Sequence, residues 1–163
     1  MSNSSINISN YSPASLKDKN QLINKVSVSS SRTADTWYTL LSKSIEVQAS
    51  SSGKVEVNIS IGVCPAGNDL FIRLLRDGSQ ISAFTAASPS ARTTATQGIA
   101  RPNTSTFQQM QTLYYVDTGL SAGTYTYAIQ ILADVTTTVP INRHTTEAAT
   151  TARNVAIIDL AEL

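Results

Sequence analysis

The sequence predicts an all-β fold: an antiparallel two-sheet, jelly-roll-like sandwich of about eight strands, preceded by an extended N-terminal arm. Three observations support this. From Trp37 onward, apolar residues recur with a period of two, which is typical of half-buried strands. The 163 residues include 22 Ser and 20 Thr, which favour strands and turns over helices. No later segment carries a convincing helical pattern.

The clearest strand lies at 54–63. Its odd positions are all β-branched, and its even positions are polar or small. One face of this strand is therefore buried and the other is wet. We expect the buried set to face the core between the sheets: Val55, Val57, Ile59, Ile61 and Val63.

The remaining strands follow from similar patterns and from the turns between them. Asp77-Gly78 predicts a tight hairpin turn, because both residues tolerate positive backbone angles. The segments 85–106 and 134–153 lack apolar periodicity and are predicted to be loops. Further strands are predicted at 45–49, 69–76, 80–84, 107–116, 124–133 and 154–163.

Residues 1–35 are predicted to form the N-terminal arm, and residues 36–163 the sandwich domain. The arm is rich in Ser and Asn, and its apolar residues are too sparse to form a core. It is either a frayed terminus or an arm that becomes ordered on a partner. In the second case, the binding side chains are Ile6, Ile8, Tyr11, Leu16, Leu22 and Ile23.

The sequence does not offer an active site. His144 is the only histidine and Cys64 the only cysteine, so neither a disulfide within the chain nor a Cys/His metal cluster can form. We expect His144 in a surface loop and Cys64 as a half-buried structural thiol. No catalytic residue, metal ligand or cofactor is predicted.

Charge and hydropathy restrict the partners. A net charge of +1 argues against nucleic acid, which needs a concentrated basic surface. No apolar run approaches the roughly 20 residues of a membrane span. Only 14% of the residues are charged, too few to cover a sandwich fully, and this predicts self-association.

Several segments from Ser44 onward, taken in order, resemble a known group of proteins. They are 44–47, 54–57, 73–78, 115–117, 120–130 and 154–163. Their order is similar to that of the jelly-roll trimers of phage and viral virions, which include capsid decoration or cement proteins and the tips of head and tail fibres. This family is structural or adhesive, so the resemblance brings no catalytic residue with it.

The resemblance implies a homotrimer on the capsid exterior that binds and stabilises the major capsid protein shell. A short arm rather than a long shaft precedes the sandwich, which favours a decoration protein. The alternative is a receptor- or carbohydrate-binding tip of a phage fibre, with loops 85–106 and 134–153 as its contact surface. Aromatic side chains bury a large area and have few rotatable bonds, so we expect some of the tyrosines to lie near the trimer contact. The candidates are Tyr114, Tyr115, Tyr125 and Tyr127.

Overall fold

The computed structural model describes residues 19–24, 28–64, 69–84, 96–99, 109–142 and 156–163. These residues form strands, tight turns and one turn of 3-10 helix at Ser82–Phe84. The strands are β1 Lys19–Asn24, β2 Val28–Arg32, β3 Tyr38–Val47, β4 Lys54–Val63, β5 Leu70–Arg76, β6 Ser79–Gln80, β7 Gln97–Ile99, β8 Gln109–Thr118, β9 Gly123–Ala133, β10 Thr137–Ile141 and β11 Ala156–Glu162. The prediction of an all-β sandwich is confirmed.

The strands form two antiparallel sheets. In the first, β4 lies between β8 on one side and β11 on the other, and β1 pairs with β11. Strands β10 and β2 extend this sheet at the end of β4, where Ile141 pairs with Val63. In the second sheet, β9 lies between β3 and β5, and β6 and β7 pair with β5.

The pairings are nested along the chain. Strand β1 pairs with β11, β2 with β10, β3 with β9, β4 with β8, and β5 with β6 and β7. The described chain is therefore one long antiparallel ribbon, folded back at the β5–β6 hairpin and rolled into two facing sheets. This is the topology of a jelly roll.

The hydrophobic core lies between the sheets. The five β-branched residues of β4 that were predicted to face inward are all buried, with Ile59 4% exposed and Val55 fully enclosed. From the second sheet, Ile129, Ile131 and Leu74 pack into the same core. The alternation at 54–63 therefore identified the inner face correctly.

The β5–β6 hairpin also matches its prediction. Asp77 has a φ of 50° and Gly78 a φ of 78°, so both central residues adopt the left-handed conformation that two-residue hairpin turns require. The predicted return strand at 80–84 is wrong in its bounds. Pairing stops at Gln80, and Ser82–Phe84 form a 3-10 turn instead.

Two further segments differ from the prediction. Within 1–35, β1 and β2 are strands of the first sheet, in which Leu22 pairs with Ile158 and Ile23 with Ile157. Within the predicted loop 134–153, Thr137–Ile141 form β10. Neither segment carries a long alternation of apolar residues, so its pairing with a neighbouring strand could not be predicted from its own sequence. The other predicted arm contacts, Ile6, Ile8, Tyr11 and Leu16, lie outside the described residues.

Candidate assembly surface

The outer face of the first sheet carries the most exposed aromatic side chain of the described chain. Residues directly opposite each other in an antiparallel pair share a face. Tyr114 of β8 pairs with Asn58 of β4, which pairs with Asp159 of β11. Two residues further along β4, Ser60 pairs with Thr112 on one side and with Ile157 on the other. The even positions of β4, which the sequence pattern predicts to face solvent, therefore belong to one continuous surface.

A shallow groove of about 470 Å³ runs over this surface. Asp159 is the one charged residue in its lining, and Tyr114, at its edge, is 62% exposed. Hydroxyl, amide and apolar groups supply the rest. The lining consists of Asn58, Ile59, Ser60, Thr112, Leu113, Tyr114, Ile157 and Asp159.

Strand β8 lies beside this groove and is the outermost of the described strands on that side of the first sheet. Among the strands that the structure describes, β8 pairs only with β4, over ten residues from Gln109 to Thr118. Met110 is 47% exposed on the outer face and lies opposite Gly62, which has no side chain to cover it. A long edge with exposed apolar side chains is a template for pairing or packing with another chain.

The four tyrosines predicted as trimer contacts lie in different environments. Tyr114 is exposed on the outer face, whereas Tyr115 and Tyr125 are partly buried and pack against the core. Tyr127 is fully buried between the two sheets. Tyr127 is therefore removed from the four candidates, because a side chain enclosed by its own chain has no surface to offer a neighbour.

Tyr127 instead belongs to a polar network that joins the sheets. Its hydroxyl donates a 2.8 Å hydrogen bond to Oδ2 of Asp117 on β8, and Nη1 of Arg76 donates another of 2.8 Å to the same oxygen. Burial and the bond to Asp117 raise the pKa of Tyr127. For Arg76, burial acts to lower the pKa, but Asp117 outweighs it and the pKa is raised. The negative charge of Asp117 is therefore balanced by Arg76 within the fold.

The potential metal-ligating side chains of the described residues do not cluster. These residues contain no group of three or more His, Cys, Asp or Glu side chains placed to hold a metal ion. Cys64 is completely buried, more deeply than predicted. His144 lies outside the described residues, as do most of loops 85–106 and 134–153.

The sequence interpretation missed the groove. Its residues come from β4, β8 and β11, which are up to about a hundred positions apart in the chain. The only local signal was the row of polar and small residues at the even positions of 54–63. That signal marks a wet face without saying which strands lie beside it.

No helix of the described chain is long and apolar enough to cross a membrane. Comparison with known proteins finds no family model and no curated protein that matches the chain.

Proposed function

We propose that this chain is a non-enzymatic structural protein of a virion: a trimeric capsid decoration or cement protein that binds and stabilises the major capsid shell. One observation carries the proposal. The outer face of the first sheet combines β8, a ten-residue strand that pairs only with β4 among the described strands, with exposed Tyr114 and Met110 and a groove that has a single charged lining residue.

This surface supports association with a second copy of the chain. The described residues of one chain form a continuous hydrophobic core by themselves, so the proposed association joins folded chains. Burying the outer face would remove Tyr114 and Met110 from water and would cover the β8 edge. A formal net charge of only +1 means that little electrostatic repulsion opposes contact between copies.

The virion assignment rests on the order of the strand and turn segments from Ser44 onward, which resembles that of capsid decoration proteins. The observed jelly roll is compatible with that class, although a fold alone does not define a function. Residues 1–18 supply apolar side chains that suit attachment to the shell: Ile6, Ile8, Tyr11 and Leu16.

The test is electron cryomicroscopy of particles isolated from the source of the sequence. We expect three-fold symmetric density for the sandwich on the capsid exterior, at three-fold or quasi-three-fold positions. Density for the sandwich at fibre ends would overturn the capsid assignment in favour of a receptor-binding tip. Particles that lack the chain altogether would overturn both.

A further inference from the structure

The outer face of the second sheet carries a row of polar side chains across three strands. Thr39 of β3 pairs directly with Gln130 of β9, which pairs directly with Arg73 of β5. Strands lie about 4.8 Å apart, so the row spans about 10 Å. It lies on the opposite side of the sandwich from the groove and is independent of the proposed function.

Hydrogen bonds fix the direction of this row. Nε of Arg73 donates to Oε1 of Gln130 at 2.8 Å, and Nε2 of Gln130 donates to Oγ1 of Thr39 at 2.9 Å. The amide of Gln130 is thereby oriented from both sides. The hydroxyl of Thr39 has accepted one bond and keeps its own hydrogen to donate. The two ends of the row therefore present donors.

Trp37 holds the guanidinium of Arg73 in place. The guanidinium carbon lies 4.3 Å from the centroid of the indole ring, within the range of a cation–π contact. Trp37 therefore contacts the flat face of the Arg73 guanidinium, and Gln130 accepts a hydrogen bond from its Nε. Among the described residues, no hydrogen bond occupies its terminal amino groups. A guanidinium fixed in this way is pre-organised for a planar, bidentate acceptor.

The charge of Arg73 is not neutralised within the described chain. Arg76, three residues away, bonds to Asp117, but Arg73 has no carboxylate within salt-bridge distance among the residues that the structure describes. Burial lowers the pKa of Arg73, so the cation is partly desolvated without a counter-charge. An anionic ligand would supply that missing charge.

We propose that the row binds an acidic sugar, with its carboxylate on the terminal amino groups of Arg73 and a ring oxygen or hydroxyl accepting from Thr39. The carboxylate matches the guanidinium fork, and the oxygens of a sugar match a donor placed about 10 Å away. One or two sugar rings cover that distance. The amide of Gln130, between the two ends, carries no charge, so Arg73 is the one charge of the row that a ligand has to balance.

Trp37 allows a direct test, because it is the only tryptophan in the chain and contacts Arg73. Its fluorescence is followed while sodium glucuronate is added at constant ionic strength, with glucose as the neutral counterpart and acetate as the carboxylate without a ring. We expect a saturable change with glucuronate and none with glucose. Acetate is expected to bind at least about tenfold more weakly.

Variants separate this site from general charge effects. Arg73→Gln removes the charge, Arg73→Lys keeps it without the fork, and Lys54→Gln removes one exposed cation from the other sheet. Isothermal titration gives affinities independently of the indole environment. We expect no binding by Arg73→Gln, at least about tenfold weaker binding by Arg73→Lys, and unchanged binding by Lys54→Gln.

Three results would overturn the proposal. The first is the absence of glucuronate binding by the folded wild-type protein. The second is binding by Arg73→Gln equal to that of the wild type. The third is equal affinity for acetate and glucuronate, which would exclude recognition of a sugar.

Discussion

The hydroxyl of Tyr127 connects the two sheets at the residue scale. It reaches from β9 in the second sheet to Asp117 on β8 in the first, inside a region closed to solvent. Because Asp117 is itself only 3% exposed, each donor that it loses leaves a buried carboxylate less well solvated. The network therefore favours one alignment of the sheets over others.

We predict that Tyr127→Phe lowers the free energy of unfolding by roughly 1.5–3 kcal/mol, since the lost hydrogen bond involves a buried charged acceptor. Tyr125→Phe is the matched control. Its hydroxyl donates to the backbone oxygen of Ser121 at an exposed position, so its loss is expected to cost less than about 0.5 kcal/mol. Urea unfolding measures both, and equal costs would contradict the role assigned to Asp117.

Alkaline pH provides a second prediction at this scale. The pKa of Tyr127 is raised in the folded state, first by burial and then by its bond to Asp117, whereas an unfolded tyrosine titrates near about 10. The stabilisation from Tyr127 is therefore complete below about pH 10 and is lost above it, by up to about 1.4 kcal/mol per pH unit.

Urea midpoints of the wild type and of Tyr127→Phe, measured between about pH 8 and pH 11, check this dependence. We expect the wild type to lose more stability than the variant. Tyr38 and Tyr115 have shifted pKa values too, but they are present in both proteins and cancel in the comparison. Parallel curves would show that Tyr127 is not the source of the dependence.

The turn between β3 and β4 shows how one glycine sets an element in place. Gly53 has a φ of +65°, and its backbone oxygen accepts a 3.0 Å hydrogen bond from the amide of Leu120. A Cβ atom added at Gly53 would overlap the backbone oxygen of Leu120. The backbone of this turn therefore packs directly against the backbone of the segment before β9. Only glycine, which has no Cβ atom, fits at this position.

Gly53→Ala is therefore expected to destabilise the fold more than Gly78→Ala does. Both glycines have a positive φ, so both substitutions carry about 1 kcal/mol of backbone strain. Gly78 has open space around it, however, and only Gly53 adds the overlap with Leu120. Thermal unfolding compares the two variants, and equal melting temperatures would argue against this close approach.

The N-terminal strands separate two parts of the predicted arm. Removing residues 2–18 leaves β1 on β11, so we expect the unfolding free energy to fall less than it does when β1 itself is removed. Removing residues 2–24 takes away six paired residues, and we expect a loss of at least about 2 kcal/mol. Equal stability of the two shortened proteins would contradict the pairing of β1.

The same pair of shortened proteins tests the shell contact. Under the proposed function, the protein lacking residues 2–18 remains folded but no longer attaches to particles. A longer deletion of residues 2–32 would not test attachment alone, because it also removes β1 and β2 from the first sheet.

Prediction from the sequence succeeded where a strand carries its own signal. The alternation at 54–63 identified β4 and its inner face, and Asp77-Gly78 identified the hairpin. It failed for β1 and β10, since these short segments become strands through the hydrogen bonds that β11 and β2 offer them. The two outer faces could not be predicted for a related reason. Nested pairing brings together strands that are distant in the sequence, and the sequence of one strand does not indicate which strands lie beside it.

At the scale of the whole molecule, the two outer faces have different characters. The first sheet presents β8, its edge among the described strands, and a groove with one charged lining residue. The second sheet presents the row of Thr39, Gln130 and Arg73, with Arg73 stacked on Trp37. Under the proposed function, the first face is the surface for self-association, and the second face remains accessible to a ligand. A trimer built in this way would display three Arg73 rows on its exterior.

The mass of the full-length protein in solution tests self-association most directly. Sedimentation equilibrium at micromolar concentration should give three times the 17.4 kDa chain mass, about 52 kDa. Met110→Lys, which places a charge on the outer face, should shift the species toward the single chain. Val135→Lys is the matched control, because Val135 is 42% exposed in the turn after β9 and should leave the trimer intact. A single wild-type species near 17.4 kDa would contradict the account.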